Sequence, residues 1–346
     1  MIRILLADDS QVTRAVLRDI FAETCDLRVI GEAVNGAEAV VKTDLLKPDL
    51  VIMDINMPVM NGLDAIGEIM ARSPVPILVL SAAGDTKNVD LAFNAIKLGA
   101  LDVMHKPAGL GDELRETERA LLEKVRMLSR IKVIRHHRRR QSAPFPPAEP
   151  RVVSDYRSIL AIGASTGGPK AVLSIMRALP AGFPATVFVV QHIANGFAGG
   201  FTQWLNRECS LPVRMATEGE KVAPGVALVA PDNRHMHLEG GRIRLSDGAA
   251  VNCCRPSIDV FFRSLAEESP EKTVAVLLTG MGRDGADGMR LLRDRGAATI
   301  VQDEETSAVF GMPKAAIAMN AADHVLPLGN IPDALLNIFN DRRNGQ

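Results

Sequence analysis

Five polar residues in the first third of the chain stand at the ends of short apolar runs. Asp8 and Asp9 follow the first run, Asp54 the third, Ser81 the fourth and Lys106 the fifth. Because the carboxyl ends of parallel strands share one edge of a sheet, we expect these side chains to meet there. Three carboxylates suit a hard cation such as Mg²⁺, and a lysine with a hydroxyl suits a phosphoryl group. The pattern predicts a phosphoryl-transfer site with Asp54 as the acceptor, although each residue alone could be a helix cap or a solvated charge.

A second candidate site centres on Ser165, which lies in the segment GASTGG of residues 163–168. The segment falls between a predicted strand and a predicted helix, and it matches the G-x-S-x-G pattern of a sharp turn that projects a nucleophilic serine. Amides at the start of the helix could hold an oxyanion. The rival interpretation is a phosphate-binding loop, but the spacing is not G-x-G-x-x-G and no Gly-Lys-Ser/Thr follows.

A nucleophilic serine needs a base, and His192 comes directly after the apolar run and Gln191. Asp284 leaves a further apolar run in the same sense and could orient the imidazole ring. We therefore predict a triad of Ser165, His192 and Asp284. The alternatives are a partly buried structural histidine and a helix-capping aspartate. His235 is the reserve candidate for the base, and no H-x-x-x-H pair supports catalysis by a metal.

The apolar runs of the first 125 residues alternate with segments of helical periodicity. Five such units of strand and helix predict a doubly wound parallel α/β sheet. The predicted strands are Ile2–Ala7, Arg28–Ala33, Leu50–Met53, Ile77–Leu80 and Asp102–Met104.

A last helix of this half begins near Asp112 and runs into the basic segment from Arg130 to Arg140, which a proline-rich linker follows. The alternation then restarts and predicts a second doubly wound, mostly parallel α/β domain of hydrolase-like type. Between His235 and Ser246 the pattern instead indicates an antiparallel hairpin. The predicted parallel strands are Ser158–Gly163, Thr186–Gln191, Val274–Thr279 and Ala298–Val301.

Length and composition limit the class of protein. At ~150 residues per domain, 346 residues favour two domains, and 47% hydrophobic with 23% charged residues exclude wholesale disorder. The formal net charge of −1 gives no overall attraction for nucleic acid or anionic membranes. Because no apolar run reaches ~18 residues, we expect a cytoplasmic protein without membrane insertion.

The four cysteines, Cys25, Cys209, Cys253 and Cys254, include no C-x-x-C pair. This argues against a disulfide framework and a structural zinc site, and it favours a reducing compartment. The adjacent Cys253 and Cys254 could be reactive, but small buried side chains are the commoner case and the one we expect.

Three motifs of the first half, LLADDS at 5–10, MDINMP at 53–58 and HKP at 105–107, resemble the receiver domain of response regulators over about residues 1–125. The resemblance implies phosphorylation of Asp54 by a sensor histidine kinase, with Ser81 and Lys106 as switch residues. Receivers usually carry an aromatic residue where this chain has Val103, so the usual aromatic relay is not expected here. The Mg²⁺ ligands that the resemblance implies are Asp8, Asp9, Asp54 and the carbonyl of Asn56.

Six motifs of the second half are GASTGGP at 163–169, QH at 191–192, APDNRH at 230–235, RPSID at 255–259, TGMGRDG at 279–285 and FGMP at 310–313. Together, over about residues 157–340, they resemble the catalytic domain of the chemotaxis protein-glutamate methylesterases, the CheB family. The resemblance implies hydrolysis of glutamate γ-methyl esters on chemoreceptors, with release of methanol, and deamidation of glutamines. It implies Ser165 as nucleophile, His192 as general base and acid and Asp284 as orienting residue. Backbone near Thr166 and Met281 would help to hold the oxyanion.

We therefore predict a phosphorylation-regulated serine hydrolase with a receiver domain (1–125), a basic helix end and linker (126–156) and a methylesterase domain (157–346). Its expected partners are methyl-accepting chemoreceptors as substrates and a sensor histidine kinase as phosphodonor, without nucleic acid, and we expect a monomer. Mg²⁺ is expected at the receiver site, and no cofactor for hydrolysis. The alternatives are an inactive scaffold and a DNA-binding response regulator, but no helix-turn-helix of ordinary length follows the basic segment.

Overall fold

The computed structural model describes residues 1–82, 86–107, 111–131, 133 and 157–340 of the chain. The chain divides into two compact units, Met1–Arg139 and Arg140–Gln346. Most of the predicted basic segment and the whole proline-rich linker lie outside the described residues. No helix in the described ranges is long and apolar enough to cross a membrane.

The first unit alternates strands and helices. Its elements are β1 (Ile2–Ala7), α1 (Gln11–Ala22), β2 (Leu27–Ala33), α2 (Gly36–Leu46), β3 (Leu50–Asp54), α3 (Gly62–Arg72), β4 (Ile77–Ser81), α4 (Thr86–Leu98), β5 (Asp102–His105) and α5 (Asp112–Leu128). The five strands form one parallel sheet in the order β2-β1-β3-β4-β5. Strands β3 and β4 are buried at every position, as expected for a parallel sheet covered on both faces.

The second unit is larger and has the same alternating character. Its elements are β6 (Ile159–Ala164), α6 (Gly168–Met176), β7 (Thr186–Gln191), α7 (Ala198–Glu208), β8 (Val213–Met215), β9 (Ala227–Val229), β10 (His235–Glu239), β11 (Arg242–Ser246), α8 (Ile258–Glu268), β12 (Thr273–Leu277), α9 (Ala286–Asp294), β13 (Ala298–Gln302), α10 (Met312–Ala318), β14 (His324–Leu326) and α11 (Ile331–Asn340).

Seven of these strands form a parallel sheet in the order β14-β13-β12-β6-β7-β9-β8, and β10 with β11 forms a separate antiparallel hairpin. Strand β6 is central, between β12 and β7, so the loops that leave these three strands lie side by side. The hairpin residue Met236 and the α8 residue Phe261 are fully buried in one cluster with Phe188 of β7. The rings of Phe188 and Phe261 are 5.1 Å apart, and this packing ties the hairpin and α8 to the sheet.

The predicted α/β architecture and the antiparallel hairpin are confirmed. All nine predicted parallel strands are present with ends within two residues of the prediction. Strands β8, β9 and β14 were missed because three residues are too few to give a periodic signal. The helix α5 ends at Leu128, so it stops before the basic segment that we expected it to enter.

Candidate active site and phosphorylation site

Three polar side chains of the first unit meet at the carboxyl edge of its sheet. Asp54 ends β3, and Asp8 and Lys106 follow β1 and β5. Nζ of Lys106 lies 2.7 Å from Oδ2 of Asp8 and 3.1 Å from Oδ1 of Asp54. Both carboxylates are buried, with 3% and 6% of their surface exposed. The lysine ammonium therefore pairs with both buried carboxylates at this edge, as the predicted phosphoryl-transfer site requires.

The oxygen donors at this edge fit a hard divalent cation. One carboxylate oxygen from each of Asp8, Asp9 and Asp54 lies within 4.8 Å of the others. Burial raises the pKa of Asp54 more than the positive charge of Lys106 lowers it. A bound cation would favour the ionised carboxylate, and oxygen ligands are those that Mg²⁺ prefers. Asn56, whose carbonyl is the fourth predicted ligand, follows Asp54 by two residues and is exposed.

The predicted switch residues Ser81 and Lys106 are neighbours. Ser81 is buried at the end of β4, and its carbonyl oxygen accepts a hydrogen bond of 2.9 Å from the amide of Lys106. Val103 is fully buried in β5, paired with Val79 of β4. The backbone hydrogen bond therefore couples the positions of Ser81 and Lys106. The small core side chain of Val103 occupies the position where receivers usually carry an aromatic ring.

In the second unit, Ser165 is the first residue after the central strand β6. Its amide donates to the carbonyl oxygen of Thr279 at 3.0 Å, and its carbonyl oxygen accepts from Nε2 of Gln191 at 2.8 Å. Gly167 then turns the chain into α6 with a φ of 75°, a left-handed conformation that favours glycine. These contacts fix the backbone around Ser165 in the sharp strand-to-helix turn that the GASTGG segment predicts.

His192 follows β7, the strand next to β6. The register pairs Ala164 with Gln191, and the amide of His192 donates to the carbonyl oxygen of Ala164 at 2.9 Å. Adjacent strands of a sheet lie about 4.8 Å apart. The two neighbouring strand ends therefore carry Ser165 and His192 side by side.

Asp284 is buried and firmly anchored, with 2% of its surface exposed. Its Oδ2 accepts from Nε2 of His192 at 2.9 Å and from the amide of Ile258 at 2.6 Å. A fixed carboxylate holds the imidazole ring in one orientation, which is the role predicted for Asp284. Its Oδ1 accepts from three further donors, which are Oγ of Ser257 at 2.7 Å, Nδ2 of Asn252 at 3.0 Å and the amide of Asp259 at 3.2 Å.

Sequence reasoning missed the residues that hold Asp284. Ser257 caps the start of α8, and the amides of Ile258 and Asp259 belong to the first turn, whose donors have no partner within the helix. A helix start favours negative charge. Burial raises the pKa of Asp284, but the hydrogen bonds to its carboxylate outweigh burial and lower the pKa to about 2. The hydrogen bond from His192 has the largest lowering effect. The serine and aspartate at 257 and 259 signal a helix start, but only the tertiary fold places that start against Asp284.

The two ring nitrogens of His192 face different partners. Nε2 faces Asp284, whereas Nδ1 lies 3.6 Å from Sγ of Cys254. Because the ionised carboxylate only accepts, Nε2 carries the hydrogen and Nδ1 keeps the lone pair of the neutral ring. Burial lowers the pKa of His192, but hydrogen bonds with Asp284 and Cys254 raise it to about 9. Within the described part of the chain, no hydrogen bond joins Ser165 Oγ to Nδ1, a contact that free enzymes often form only with substrate.

The prediction that Cys253 and Cys254 are small buried side chains is wrong. Cys253 is exposed and Cys254 is partly exposed. Two backbone hydrogen bonds of 2.9 and 3.1 Å between Val251 and Cys254 close a tight turn, and the side chain of Asn252 ties this turn to Asp284. Because these tertiary contacts set the position of the turn, the local sequence carries no signal of it.

His235, the reserve candidate for the base, has a structural role. It is buried, its Nδ1 accepts from the amide of Ser257 at 3.2 Å, and its Nε2 lies 3.0 Å from the carbonyl oxygen of Ala249. Both ring nitrogens therefore bind backbone groups of the loop that leads into α8, and neither remains for proton transfer.

The backbone predicted to hold the oxyanion passes Ser165 on two sides. Thr166 follows the serine, and its carbonyl oxygen accepts from Oγ1 of Thr279 at 2.9 Å. Gly280 precedes Met281 and passes so close that a Cβ built on it would lie 2.7 Å from Cβ of Ser165. The segments around Thr166 and Met281 therefore both lie beside the predicted nucleophile.

The close approach of Gly280 gives a testable expectation. We expect Gly280→Ala to lower turnover at this site by about 10²-fold, because a displacement of about 1 Å at a reacting group costs about that much. The new methyl group would first meet Sδ of the buried Met312 and, at 2.7 Å, Cβ of Ser165, which the backbone holds in place. Gly199→Ala in α7 is the matched control, since the nearest atom to its added Cβ is 3.9 Å away. Initial rates and thermal unfolding of both variants test this, and a wild-type rate for Gly280→Ala would contradict it.

Comparisons with known proteins agree with this architecture. A family model described as CheB methylesterase matches residues 160–335, and one described as response regulator receiver domain matches residues 4–117. A relative named protein-glutamate methylesterase/protein-glutamine glutaminase 2, from Anaeromyxobacter dehalogenans, is 44% identical and covers 96% of both chains. A relative of the same name numbered 4, from Geobacter metallireducens, is 42% identical over 98% of this chain and 99% of its own.

A solved structure supports the same relationship for the second unit. The CheB methylesterase catalytic domain of Thermotoga maritima is 39% identical, with a TM-score of 0.51, and the match covers 53% of this chain and 98% of that domain. The similarity thus includes the sheet and the loops that carry Ser165, His192 and Asp284. With both units matched and relatives aligned over almost its full length, this chain belongs to the CheB methylesterase family, with a response regulator receiver domain preceding the esterase domain.

Proposed function

We propose that Ser165, His192 and Asp284 form the catalytic triad of this enzyme. The chain is a protein-glutamate methylesterase and protein-glutamine glutaminase that demethylates chemoreceptors under the control of receiver phosphorylation. The observation that carries the residue assignment is the 2.9 Å hydrogen bond between His192 and the buried Asp284, at the strand end beside Ser165.

The hydrogen bonds of His192 decide which nitrogen moves protons. Nδ1 takes the proton of Ser165 Oγ while that oxygen attacks the γ-carbonyl carbon of a glutamate methyl ester. The same nitrogen returns the proton to the methoxy oxygen, methanol leaves, and the glutamyl group stays on Oγ as an ester. Water then gives a proton to Nδ1 and attacks this ester, and the same proton passes from Nδ1 to Oγ as the glutamate leaves, which restores the free serine and the neutral histidine. A glutamine follows the same course with ammonia as the leaving group.

The surrounding groups stabilise the charges of this reaction. Asp284 stabilises the imidazolium that forms at His192 in each transfer, and it remains ionised because its pKa is lowered. Backbone amides around Thr166 and Met281 are our candidates for the oxyanion hole, because both segments lie beside Ser165. Hydrolysis in this scheme uses only groups of the chain and water, without a cofactor.

The pKa of His192 predicts an alkaline pH profile. Burial lowers the pKa of His192, but contacts with Asp284 and Cys254 outweigh burial and raise this pKa from 6.5 to about 9. Because the base acts in its neutral form, kcat/KM should rise as the pH rises through that value. Demethylation rates from about pH 6 to about pH 10 test this, with Ser165→Ala to subtract uncatalysed ester hydrolysis. Asp284→Asn should move the midpoint to lower pH. A wild-type midpoint at or below 6.5 would show that the contacts with Asp284 and Cys254 do not outweigh the effect of burial.

We further propose Asp54 as the phosphate acceptor and a sensor histidine kinase as the donor. Lys106, which already contacts the Asp54 carboxylate, would pair with the phosphoryl oxygens, and Ser81 at the end of the next strand would respond to them. Bound Mg²⁺ would neutralise charge on the acceptor and the phosphoryl group. The residues proposed to hold it are Asp8, Asp9, Asp54 and the carbonyl of Asn56.

We place the enzyme in the cytoplasm as a monomer, with methyl-accepting chemoreceptors as its substrates. All four cysteines are free thiols, which fits a reducing compartment. Methanol release from isolated membranes that contain methylated chemoreceptors tests the proposed substrates, with mass spectrometry to locate each new glutamate. We expect demethylated glutamates and glutamines converted to glutamate on receptor chains. Receptor chains that keep every methyl group while the protein hydrolyses small esters would contradict the proposed substrate.

A further inference from the structure

We infer that Cys254 and His192 form a binding site for a thiophilic divalent cation, for which Zn²⁺ is the probe, and that the bound ion stops hydrolysis by occupying Nδ1. Sγ of Cys254 lies 3.6 Å from Nδ1 of His192. One ligand atom from each of these residues and Asp284 lies within 4.8 Å of the others. The inhibitory part of the inference rests on the proposed role of His192 as the base, whereas the binding part does not.

The distance between the two ligand atoms fits zinc. With Zn–S near 2.3 Å, Zn–N near 2.0–2.1 Å and a tetrahedral angle, sulfur and nitrogen are about 3.5 Å apart. The observed separation is 3.6 Å, so the distance between the two ligand atoms already matches that expected around one shared ion. Thiolate and imidazole are ligands that zinc prefers, whereas Mg²⁺ takes oxygen ligands. The site therefore differs in chemistry from the carboxylate cluster of the first unit.

Asp284 already has the position that a zinc-bound histidine requires of a carboxylate. Histidines that bind a metal through one nitrogen usually donate from the other to such a group, which fixes the ring and strengthens the ligand. Nε2 of His192 makes this bond to Asp284 at 2.9 Å. The amide of Ile258 holds the same carboxylate oxygen at 2.6 Å, so the arrangement stays in place when an ion binds Nδ1.

The turn that carries Cys254 holds the thiol in position and leaves it accessible. Its backbone hydrogen bonds to Val251 and the bond from Asn252 to Asp284 fix the turn before any ion binds. Cys254 is partly exposed, and 13% of the His192 side chain is exposed, so an ion reaches both from solvent. On binding, the thiol releases its proton to solvent, and so does Nδ1 at pH values below the His192 pKa, which contacts with Asp284 and Cys254 raise to about 9 despite burial. Sulfur and Nδ1 then each give an electron pair to the ion. Water fills the remaining positions, and no oxidation takes place.

Zinc titrations of the full-length protein test the site independently of activity. Zinc is titrated in competition with a chromophoric chelator, with excess Mg²⁺ to keep the carboxylates of the first unit occupied. We expect Cys254→Ser to bind zinc at least about 100-fold more weakly. Loss of a residue that only hydrogen-bonds to a metal ligand already lowers metal affinity by about 10–100-fold, and Cys254 is a direct ligand. Cys253→Ser, the matched control, should bind like the wild type because Cys253 is exposed. In the wild type, bound zinc should also protect Cys254, but not Cys253, from alkylation, and this readout needs no variant to fold.

Demethylation rates, each divided by the rate of the same variant without zinc, test the inhibition. Saturating zinc should abolish turnover by the wild type and by Cys253→Ser, a chelator should restore it, and Cys254→Ser should need about 100-fold more zinc. Equal zinc affinity of the wild type and Cys254→Ser, or alkylation of Cys254 that zinc does not change, would overturn the site and leave the triad untouched. Zinc bound at Cys254 with an undiminished rate would instead overturn the inhibition and the role of His192 as the base.

Discussion

Ser165→Ala lowers the rate of receptor demethylation by about 10⁴-fold or more and leaves the protein folded. Alanine has no oxygen to attack the methyl ester, so the glutamyl ester of the enzyme cannot form. The bonds of Ser165 to Thr279 and Gln191 use its backbone atoms and survive the change. Initial rates of methanol release, together with thermal unfolding of the variant, measure both parts of this expectation.

Two variants and a control make the result specific to the triad. His192→Ala should cost about as much as Ser165→Ala, and Asp284→Asn should cost less, because a misoriented imidazole still acts occasionally. Asp284→Asn should also lower the free energy of unfolding by about 1–3 kcal/mol, because the buried NH₂ group of asparagine would face groups that themselves donate hydrogen bonds. Ser174→Ala, an exposed serine of α6, is the matched control and should leave the rate unchanged. Substantial turnover by Ser165→Ala would show that another group is the nucleophile.

Asp54→Asn abolishes the stimulation of demethylation by a small acyl phosphate and keeps the unstimulated rate. The amide cannot accept the phosphoryl group, so a group that carries a charge of about −2 never appears beside Asp8 and Lys106. A ten-fold stimulation requires only about 1.4 kcal/mol of differential stabilisation of the active state. Rates with and without the phosphodonor, with mass spectrometry to detect the phosphoryl group, measure the effect.

A neighbouring carboxylate provides the control for this variant. Asp64 lies exposed in the first turn of α3, in the same unit, and its Oδ2 accepts a hydrogen bond of 2.9 Å from Nδ2 of Asn61. Asp64→Asn should therefore respond to the phosphodonor like the wild type. If Asp54→Asn were still stimulated and phosphorylated, the acceptor would be a different residue.

The parallel strands and their polar ends were predictable because burial on both faces produces continuous apolar runs. Leu50–Asp54 and Thr186–Gln191 are buried at every position, and the first polar residue after such a run stands at the carboxyl edge of the sheet. This reasoning brought Asp54, Lys106 and His192 to the correct edges. It could not find strands of three residues such as His324–Leu326, which pair only because the neighbouring strand is already in place.

The surroundings of His192 were beyond sequence reasoning for a different reason. Asp284 is held by the start of α8 and by Asn252, which are distant in sequence and meet it only in the folded chain. The same contacts bring Cys254 to Nδ1, where the cysteine pattern had suggested a buried side chain. The sequence therefore indicated the residues of the proposed triad, but it did not indicate the partner of Nδ1 of His192.

The position of Cys254 makes one measurement the most direct test of the catalytic assignment. During turnover on methylated receptor, rapid acid quenching followed by proteolysis and mass spectrometry shows which enzyme residue carries the receptor glutamyl group. Our account predicts an ester of the glutamyl carbonyl with Oγ of Ser165, absent in Ser165→Ala. A thioester at Cys254, whose sulfur lies 3.6 Å from Nδ1 of His192, would contradict it and make the cysteine the nucleophile.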